Sequence, residues 1–210
     1  MKSLLSILVF GLILSGCASN ENKGPWRASV SIDRFTDEVD CFVSVAEYWG
    51  SDIFYTKQNH YYPYIQQKKG ELRVGLKSGG KFPIPVGNVK LRIDSNEAWQ
   101  ILVSESPVDS SQFSNIISPD YVKNITQNLD EKNKALIEKT FSDQQQFTSQ
   151  MLSTYTAATG EKAKNILKEM LSGSILITQT TGIPGFKSTL GEAPLNQSLQ
   201  KALSDCKIVI

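Results

Sequence analysis

The stretch that decides the class of fold is WRASVSIDR, residues 26–34. Apolar side chains alternate in it with polar ones: Trp26, Ala28, Val30 and Ile32. A period of two residues with one polar face is typical of an antiparallel strand that covers a core on one side. A second apolar run, residues 41–45, follows after the turn-like segment 35–38. We therefore expect these two runs to form a β-hairpin.

More runs of strand length follow along the chain, with glycine and proline residues between many of them: 53–56, 72–76, 89–93, 99–103 and 174–178. Many short strands at close intervals are typical of two-layered or closed antiparallel sheets. The sequence therefore predicts a mainly β fold with an α insertion (α+β), built as an antiparallel β-sandwich or an open barrel.

The insertion is expected over about 118–171, where the pattern becomes helical. Ser118-Pro119-Asp120 has the features of a helix start: a hydroxyl at the N-cap, a proline at the first position and an acid in the first turn. Apolar side chains then recur every fourth residue: Tyr121, Ile125 and Leu129. This spacing places them on one side of a helix.

The rest of the insertion is predicted as one or two further helices. One stretch runs from Leu136 to Tyr155, with Gly160 as its stop, and another covers residues 161–171. Glutamines 144–146 and Gln150 stand among its apolar side chains. Such a face either packs on the sheet or binds a helix of an envelope partner in a groove. A short helix is also expected over 196–205.

The amino-terminal segment reads MKSLLSILVFGLILSGC, residues 1–17. Lys2 precedes an apolar run that is shorter than the roughly 20 residues that span a bilayer and suits the core of a signal peptide. Leu14-Ser15-Gly16-Cys17 resembles the lipobox of bacterial lipoproteins. The resemblance implies cleavage after residue 16 and acylation of Cys17. Several acyl chains make such an attachment durable.

The anchor sets the expected organisation and location of the chain. Residues 1–16 are expected to be a signal peptide, 17–25 a lipidated tether, and 26–210 a single domain. Residue 18 is Ala rather than the Asp that often retains lipoproteins in the inner membrane. The resemblance thus implies an outer-membrane protein facing the periplasm, whose partner is the membrane itself.

Two cysteines are left once Cys17 is acylated: Cys41 and Cys206. Outside the cytoplasm two thiols of one domain usually pair. A disulfide closing so long a loop contributes about 4–5 kcal/mol in the chain-entropy model. The alternatives are a metal site, for which the two thiols and His60 lack ligand spacing, and a cysteine nucleophile paired with His60.

Charge offers no reason to expect a nucleic-acid partner. The 210 residues carry 22 Lys plus Arg against 21 Asp plus Glu, a net charge of +1, whereas nucleic-acid binding draws on clustered positive charge. Residues 75–81 match G-x-x-x-x-G-K, but Phe82 and Pro83 follow where a phosphate loop needs a hydroxyl and a helix. We expect a glycine hairpin turn between strands there, and no cofactor.

Two clusters of polar residues are candidate sites. Four acids stand close together around one turn: Asp33, Asp37, Glu38 and Asp40. They could hold calcium or supply a catalytic carboxylate pair, although turn chemistry also favours such residues. The second cluster is an aromatic run, His60, Tyr61, Tyr62 and Tyr64, which forms either a contact surface for glycan or protein or an edge of the sheet.

A further likeness rests on scattered residues: Trp26 opening a strand, Phe35-Thr36-Asp37 before Cys41, Val74-Gly75-Leu76, Arg92-Ile93-Asp94, and a late helix before Cys206. In these the chain is similar to the invasion-associated locus B family of periplasmic β-sandwich proteins and to accessory proteins encoded with type VI secretion systems. The likeness covers 26–103 and 174–210. It implies a non-enzymatic envelope role and no catalytic residue.

We therefore expect a lipoprotein that acts as a binding or assembly module, accessory to a secretion or surface apparatus. The alternative is an envelope hydrolase of peptidoglycan or another glycan. A pair of carboxylates at hydrolytic distance in one cleft would favour the hydrolase.

Overall fold

The computed structural model describes residues 24–48, 61–107, 109, 119–180 and 189–209. Nine strands and four helices lie in these ranges. The strands are β1 Trp26–Ile32, β2 Val39–Val45, β3 Tyr61–Lys68, β4 Glu71–Ser78, β5 Val89–Ile93, β6 Trp99–Ile101, β7 Tyr155–Ala158, β8 Ile175–Thr180 and β9 Thr189–Pro194. The helices are α1 Pro119–Thr126, α2 Glu131–Met151, α3 Gly160–Ser172 and α4 Gln197–Asp205.

The strands form two open antiparallel sheets. One has the order β1-β2-β3-β4-β7 and the other the order β6-β5-β8-β9. The predicted hairpin is confirmed, with Trp26 opposite Val45 and Ile32 opposite Val39. The predicted α+β class and antiparallel sandwich are confirmed as well, although helices cover about as many residues as strands, so the fold is not mainly β.

Both sheets contribute to one apolar core. From the five-stranded sheet, Val43, Ile65 and Val74 are fully buried, and from the four-stranded sheet Leu91 and Leu176 join them. Helix α3 turns four buried side chains toward the same core: Ala163, Ile166, Leu167 and Met170. Their spacing of three and four residues is the one that the sequence predicts for the third helical segment.

The first strand and the last helix hold each other. The backbone N–H of Trp26 donates to Ser198 Oγ at 3.2 Å, and its indole N–H donates to Pro194 O at 2.7 Å. Cys41 on β2 forms a disulfide with Cys206, the residue after α4, and the two Cα atoms are 5.5 Å apart. The predicted disulfide is therefore confirmed, and it ties the first hairpin to the carboxyl-terminal helix.

The prediction of a purely helical insertion over 118–171 is wrong. Helix α2 ends at Met151, before the expected Tyr155, and residues 155–158 form β7 at the edge of the five-stranded sheet. Gly160 does not stop α2; it is the first residue of α3 and has a positive φ of 57°. Only α1 and α2 stand apart from the core, since β7 and α3 belong to it.

Besides β7, two further strands of the described region were not predicted, and some predictions lie outside that region. β3 covers the tyrosine run, and β9 covers residues 189–194. β7 can pair with β4 because position 75 is glycine: a Cβ there would collide with the backbone of Thr156 and Ala157. The predicted strand at 53–56, like Ser118 and the amino-terminal segment with Cys17, lies outside the described residues.

Removing the disulfide should lower the free energy of unfolding substantially. The bridge spans 165 positions, and the chain-entropy model gives about 5 kcal/mol for a loop of that length. We expect the double variant Cys41→Ser, Cys206→Ser to unfold at a clearly lower urea concentration than the wild type. A reductant should shift the wild type to the same midpoint and leave the variant unchanged. Equal midpoints for oxidised wild type and variant would contradict this.

Candidate functional site

The predicted tyrosine contact surface is mostly internal. Tyr62 and Tyr64 project from β3 on the face of the sheet that points away from the common core, and only 9% and 1% of them are exposed. Tyr61 points to the opposite face, half-buried, and its hydroxyl donates to Pro85 O at 3.0 Å. His60 lies outside the described residues. The prediction of a contact surface is therefore wrong for Tyr62 and Tyr64, because the chain itself covers their rings.

These two rings belong to an aromatic cluster on that outer face of the five-stranded sheet. Ring centroids of Phe42 lie 4.9 Å from Tyr48 and 5.5 Å from Tyr64, and Tyr64 lies 6.4 Å from Tyr155. The Lys77 ammonium stands 5.0 Å from the centroid of the Phe42 ring. Burial lowers the pKa of Lys77, while the aromatic face stabilises its positive charge.

An ionic cluster borders the aromatic one. Asp109 accepts from Lys68 Nζ at 2.9 Å and from Arg73 Nη1 at 3.0 and 3.1 Å, and Arg73 Nε also donates to Glu71 at 2.9 Å. Burial alone would raise the pKa of Asp109, but the hydrogen bond from Lys68 and the charge of Arg73 together lower it. The nearly buried guanidinium of Arg73 is thus compensated by two carboxylates.

The phenols of this face are held in their neutral form. Burial, reinforced by the charge of Asp109, raises the pKa of Tyr155 to about 12. Tyr155 donates to Pro107 O at 2.6 Å and accepts from the Asp109 N–H at 3.1 Å. Tyr64 Oη is a buried polar atom without a hydrogen-bond partner in the described part of the chain. The contacts described for these two clusters join strands of the sheet and include no nucleophile paired with a base.

A groove of about 540 Å³ lies elsewhere, between β6 and α3, lined by residues 96–100, Lys162 and Glu169. Glu169 accepts from the Trp99 indole at 2.5 Å and from the Asn96 amide at 2.7 Å. Lys162 donates to Glu105 at 2.6 Å. The side chains of Asn96, Trp99, Lys162 and Glu169 in this groove are thus already hydrogen-bonded within the fold.

Three of the four acids of the first turn, Asp33, Glu38 and Asp40, support the local structure through their side chains, and the backbone N–H of Asp37 donates to Asp33 O at 2.8 Å. Asp33 Oδ1 accepts the N–H groups of Phe35 and Thr36 at 2.7 and 3.3 Å, as in an Asx-turn. Glu38 pairs with Lys69, and Asp40 accepts from the Gln66 amide. In the described ranges no three His, Cys, Asp or Glu side chains are placed to hold a metal ion.

The G-x-x-x-x-G-K segment is also structural. Residues 75–78 end β4, and Gly80 takes a positive φ of 83° in the connection that follows. This connection leads to β5 in the other sheet rather than back along β4, so the expected hairpin turn is instead a crossing between sheets. A phosphate loop needs a helix start at this point.

The helical arm, defined here as α1 and α2, leaves several apolar side chains exposed. Asp130 caps α2 by accepting the Asn133 N–H at 3.0 Å. Only Ser149 and Gln150 of α2 are buried among the described residues, and Gln150 donates to Ser104 O at 3.0 Å. The 21-residue helix is about 30 Å long, so most of it has no sheet beneath it.

The two helices of the arm close their apolar seam only in part. The Tyr121 and Phe141 rings meet edge to face with centroids 6.3 Å apart. Ile125 on α1 is nevertheless exposed, and so is Leu129, which the sequence pattern assigns to the same stripe but which lies in the connection between α1 and α2. Leu136 and Phe147 on α2 are 63% and 58% exposed, and eleven residues place them about 20° apart around the helix. The arm thus presents apolar side chains along both helices.

A second exposed apolar surface lies on the first hairpin. Val30 and Ile32 of β1 are 53% and 61% exposed, Val39 opposite Ile32 is similarly open, and Phe35 at the turn is almost fully exposed. The alternating pattern of β1 predicts that Trp26, Ala28, Val30 and Ile32 all face inward. Trp26 is buried and Ala28 half-buried, but Val30 and Ile32 are exposed, because this end of the hairpin extends beyond the helix that covers Trp26 and Ala28.

Comparison of the chain with protein-family models, with curated proteins and with solved structures gives no match. Of the helices in the described residues, none has the length and apolar character needed to cross a membrane. The interpretation of the site therefore rests on its own geometry.

A change at Asp109 tests how much the ionic cluster contributes to the free energy of unfolding. The change Asp109→Asn removes the charge that Arg73 and Lys68 share and leaves the nearly buried Arg73 with one carboxylate partner. We expect a loss of about 1.5–3 kcal/mol in the free energy of unfolding, as for hydrogen bonds to charged groups. Urea denaturation measures it.

The matched control is Asp143→Asn, which removes an exposed i,i+4 pair with Lys139 at 3.7 Å. Exposed pairs of this kind contribute only about 0.3–0.5 kcal/mol. Equal losses in the two variants would contradict a stabilising role for the Asp109 cluster.

Proposed function

We propose that this chain is a lipid-anchored lipoprotein of the bacterial outer membrane, facing the periplasm, that acts as a non-catalytic assembly module. Its helical arm binds an amphipathic helix of an envelope protein. The observation that carries the proposal is the exposed apolar surface of the arm: the α1–α2 seam is open at Tyr121, and Leu136 and Phe147 form a second exposed stripe, about 120–140° around α2 from Phe141.

Two helices packed side by side cannot bury their apolar stripes completely, because one side of the contact between them stays open to water. Ile137 and Phe141 of α2 are half-buried against α1, whereas Tyr121, Ile125 and Leu129 are still exposed. A third helix that laid its own apolar stripe along this line would complete a three-helix bundle. Recognition of this kind uses anchors one or more turns apart, and the arm offers anchors at such spacing.

The chemistry of the partner follows from the arm's charge. Its exposed face carries both signs, including Lys132, Lys139, Glu138 and Asp143. Mixed charge gives no strong attraction for a highly charged surface such as nucleic acid or an anionic lipid layer. Apolar burial therefore has to supply most of the affinity, which favours a protein helix with a matching apolar stripe.

Two further features support an envelope location. The lipobox-like Leu14-Ser15-Gly16-Cys17 lies nine residues before Trp26, where the folded body begins. The Cys41–Cys206 disulfide suits an oxidising compartment. A tether as short as residues 17–25 would hold the folded domain close to the bilayer, and the helical arm would make the contact with the partner.

The arm is tested by photocrosslinking in intact cells, with a photoreactive residue placed at 136 or 147. We expect both positions to capture the same defined envelope protein. The changes Leu136→Glu and Phe147→Glu should each reduce its recovery by about tenfold or more, the loss typical of removing an apolar anchor at an interface.

The control for the arm is Ser142→Glu, which adds the same charge to an exposed position on the other side of α2. This variant should keep full recovery, and all three should unfold at the wild-type urea concentration because the changed side chains are exposed. Capture of no protein from 136 and 147, or equal loss in Ser142→Glu, would refute the docking role.

The anchor is tested by metabolic labelling with a fatty-acid analogue. The wild type should carry the label and lack residues 1–16. Cys17→Ser should carry no label, because acylation needs the thiol at that position. Cys206→Ser is the matched cysteine control and should keep the label. A labelled Cys17→Ser protein, or an unlabelled wild type, would rule the anchor out.

A further inference from the structure

We propose that two copies of this chain associate through β1, which pair antiparallel about a twofold axis at Val30 and join the two five-stranded sheets into one continuous sheet. The proposal concerns the first hairpin and does not depend on the helical arm or on the lipid anchor.

β1 is an edge strand, with β2 on one side and no strand of the described chain on the other. Ala46 donates its N–H to Pro25 O, while the Trp26 N–H turns the other way, to Ser198. Hydrogen-bonding direction alternates along an antiparallel strand. The backbone groups of Ala28, Val30 and Ile32 therefore point to the open side, as those of Trp26 do.

The outer half of this edge is uncovered. α4 packs beside the Trp26 end of the strand, but Val30 and Ile32 are more than half exposed. Natural edge strands are usually protected by bulges, prolines or inward-pointing charges. β1 has none of these: its register with β2 runs unbroken from Trp26 to Ile32, and the side chains on its core-facing side are apolar.

The order of residues in the strand is self-complementary about Val30. In an antiparallel pair centred there, Val30 faces Val30 of the second copy, Ala28 faces Ile32, and Ser29 faces Ser31. Arg27 of each copy then stands opposite Asp33 of the other, so that one ion pair forms at each end of the junction. Cross-strand pairs of opposite charge stabilise a sheet.

The backbone selects the same register. The backbone N–H and C=O groups of residues 28, 30 and 32 point to the open side. With the twofold axis at Val30, each of these residues lies opposite another of the three, so that their backbone groups can hydrogen-bond. A centre at Ser29 would require the Trp26 N–H, which already donates to Ser198. A centre at Ser31 would place Asp33 opposite Ser29 and separate it from Arg27. Charge and hydrogen bonding therefore agree on a second copy as the occupant.

The pairing also accounts for the exposed apolar side chains. Partner strands in one sheet turn paired residues to the same face. Val30 and Ile32 would therefore lie beside their equivalents and beside Ala28 of the second copy, next to the helix that covers that strand. A junction of one strand per copy is small for a stable dimer in dilute solution, and a high local concentration would favour it.

The test uses two full-length chains that carry tags of different length, one with Ser29→Cys and the other with Ser31→Cys. The two chains are expressed together in bacterial cells, which are then treated with a mild permeant oxidant. Both positions are exposed, so neither change should disturb folding. The proposed register brings these two thiols directly opposite each other, at a Cα separation of about 4.5–5.5 Å that suits a disulfide.

We expect a covalent dimer of the mixed type and none from either variant expressed alone. Adding Val30→Lys to both chains should abolish the mixed dimer, because it places like charges opposite each other at the centre. Peptide mapping should show the Cys41–Cys206 bridge intact in every variant, which confirms folding. Absence of the mixed dimer, or equal crosslinking in the Val30→Lys chains, would overturn the proposal; dimers from one variant alone would overturn its register.

Discussion

The contact between the two ends of the folded body supports the rest of the structure. Trp26 opens the first strand, and its two N–H groups bind Ser198 and Pro194. The Cys41–Cys206 bridge fixes the same helix to the neighbouring strand. Because these contacts join positions more than 160 residues apart, they define which sheet face is covered and how far along β1 the cover extends. The exposed half of the hairpin is a direct result of that limit.

The sequence predicts those strands whose apolar residues either alternate or form a short run. β1 and β5 alternate, β2 and β4 are apolar runs, and the predicted bounds of all four lie close to the true ones. β3 was missed because both of its faces are buried and because Pro63 lies within it. A strand covered on both sides does not alternate, and proline normally argues against a central strand. The tyrosines were therefore interpreted as a surface instead of as a layer inside the protein.

The candidate sites show the same division between local and long-range information. The disulfide could be predicted because only two cysteines were left to pair. The Asp109 cluster could not, since Asp109 lies 36 positions from Arg73 and reaches it through a loop without a motif. The start of α2 had a readable signal, Asp130 before Glu131, whereas the exposed seam of the arm depends on where the sheets end, and no local pattern encodes that.

The packing of α4 on β1 also matters before the Cys41–Cys206 disulfide has formed. When the cysteines are still reduced, the hydrogen bonds from Trp26 to Ser198 and Pro194 still connect β1 to the carboxyl-terminal region. Loss of that helix would bare the whole edge of β1, and long apolar edges recruit strands indiscriminately. The bridge is thus one of the contacts, together with the buried side chains of α4, that keep this helix in place over β1 and leave only a short segment of the edge open.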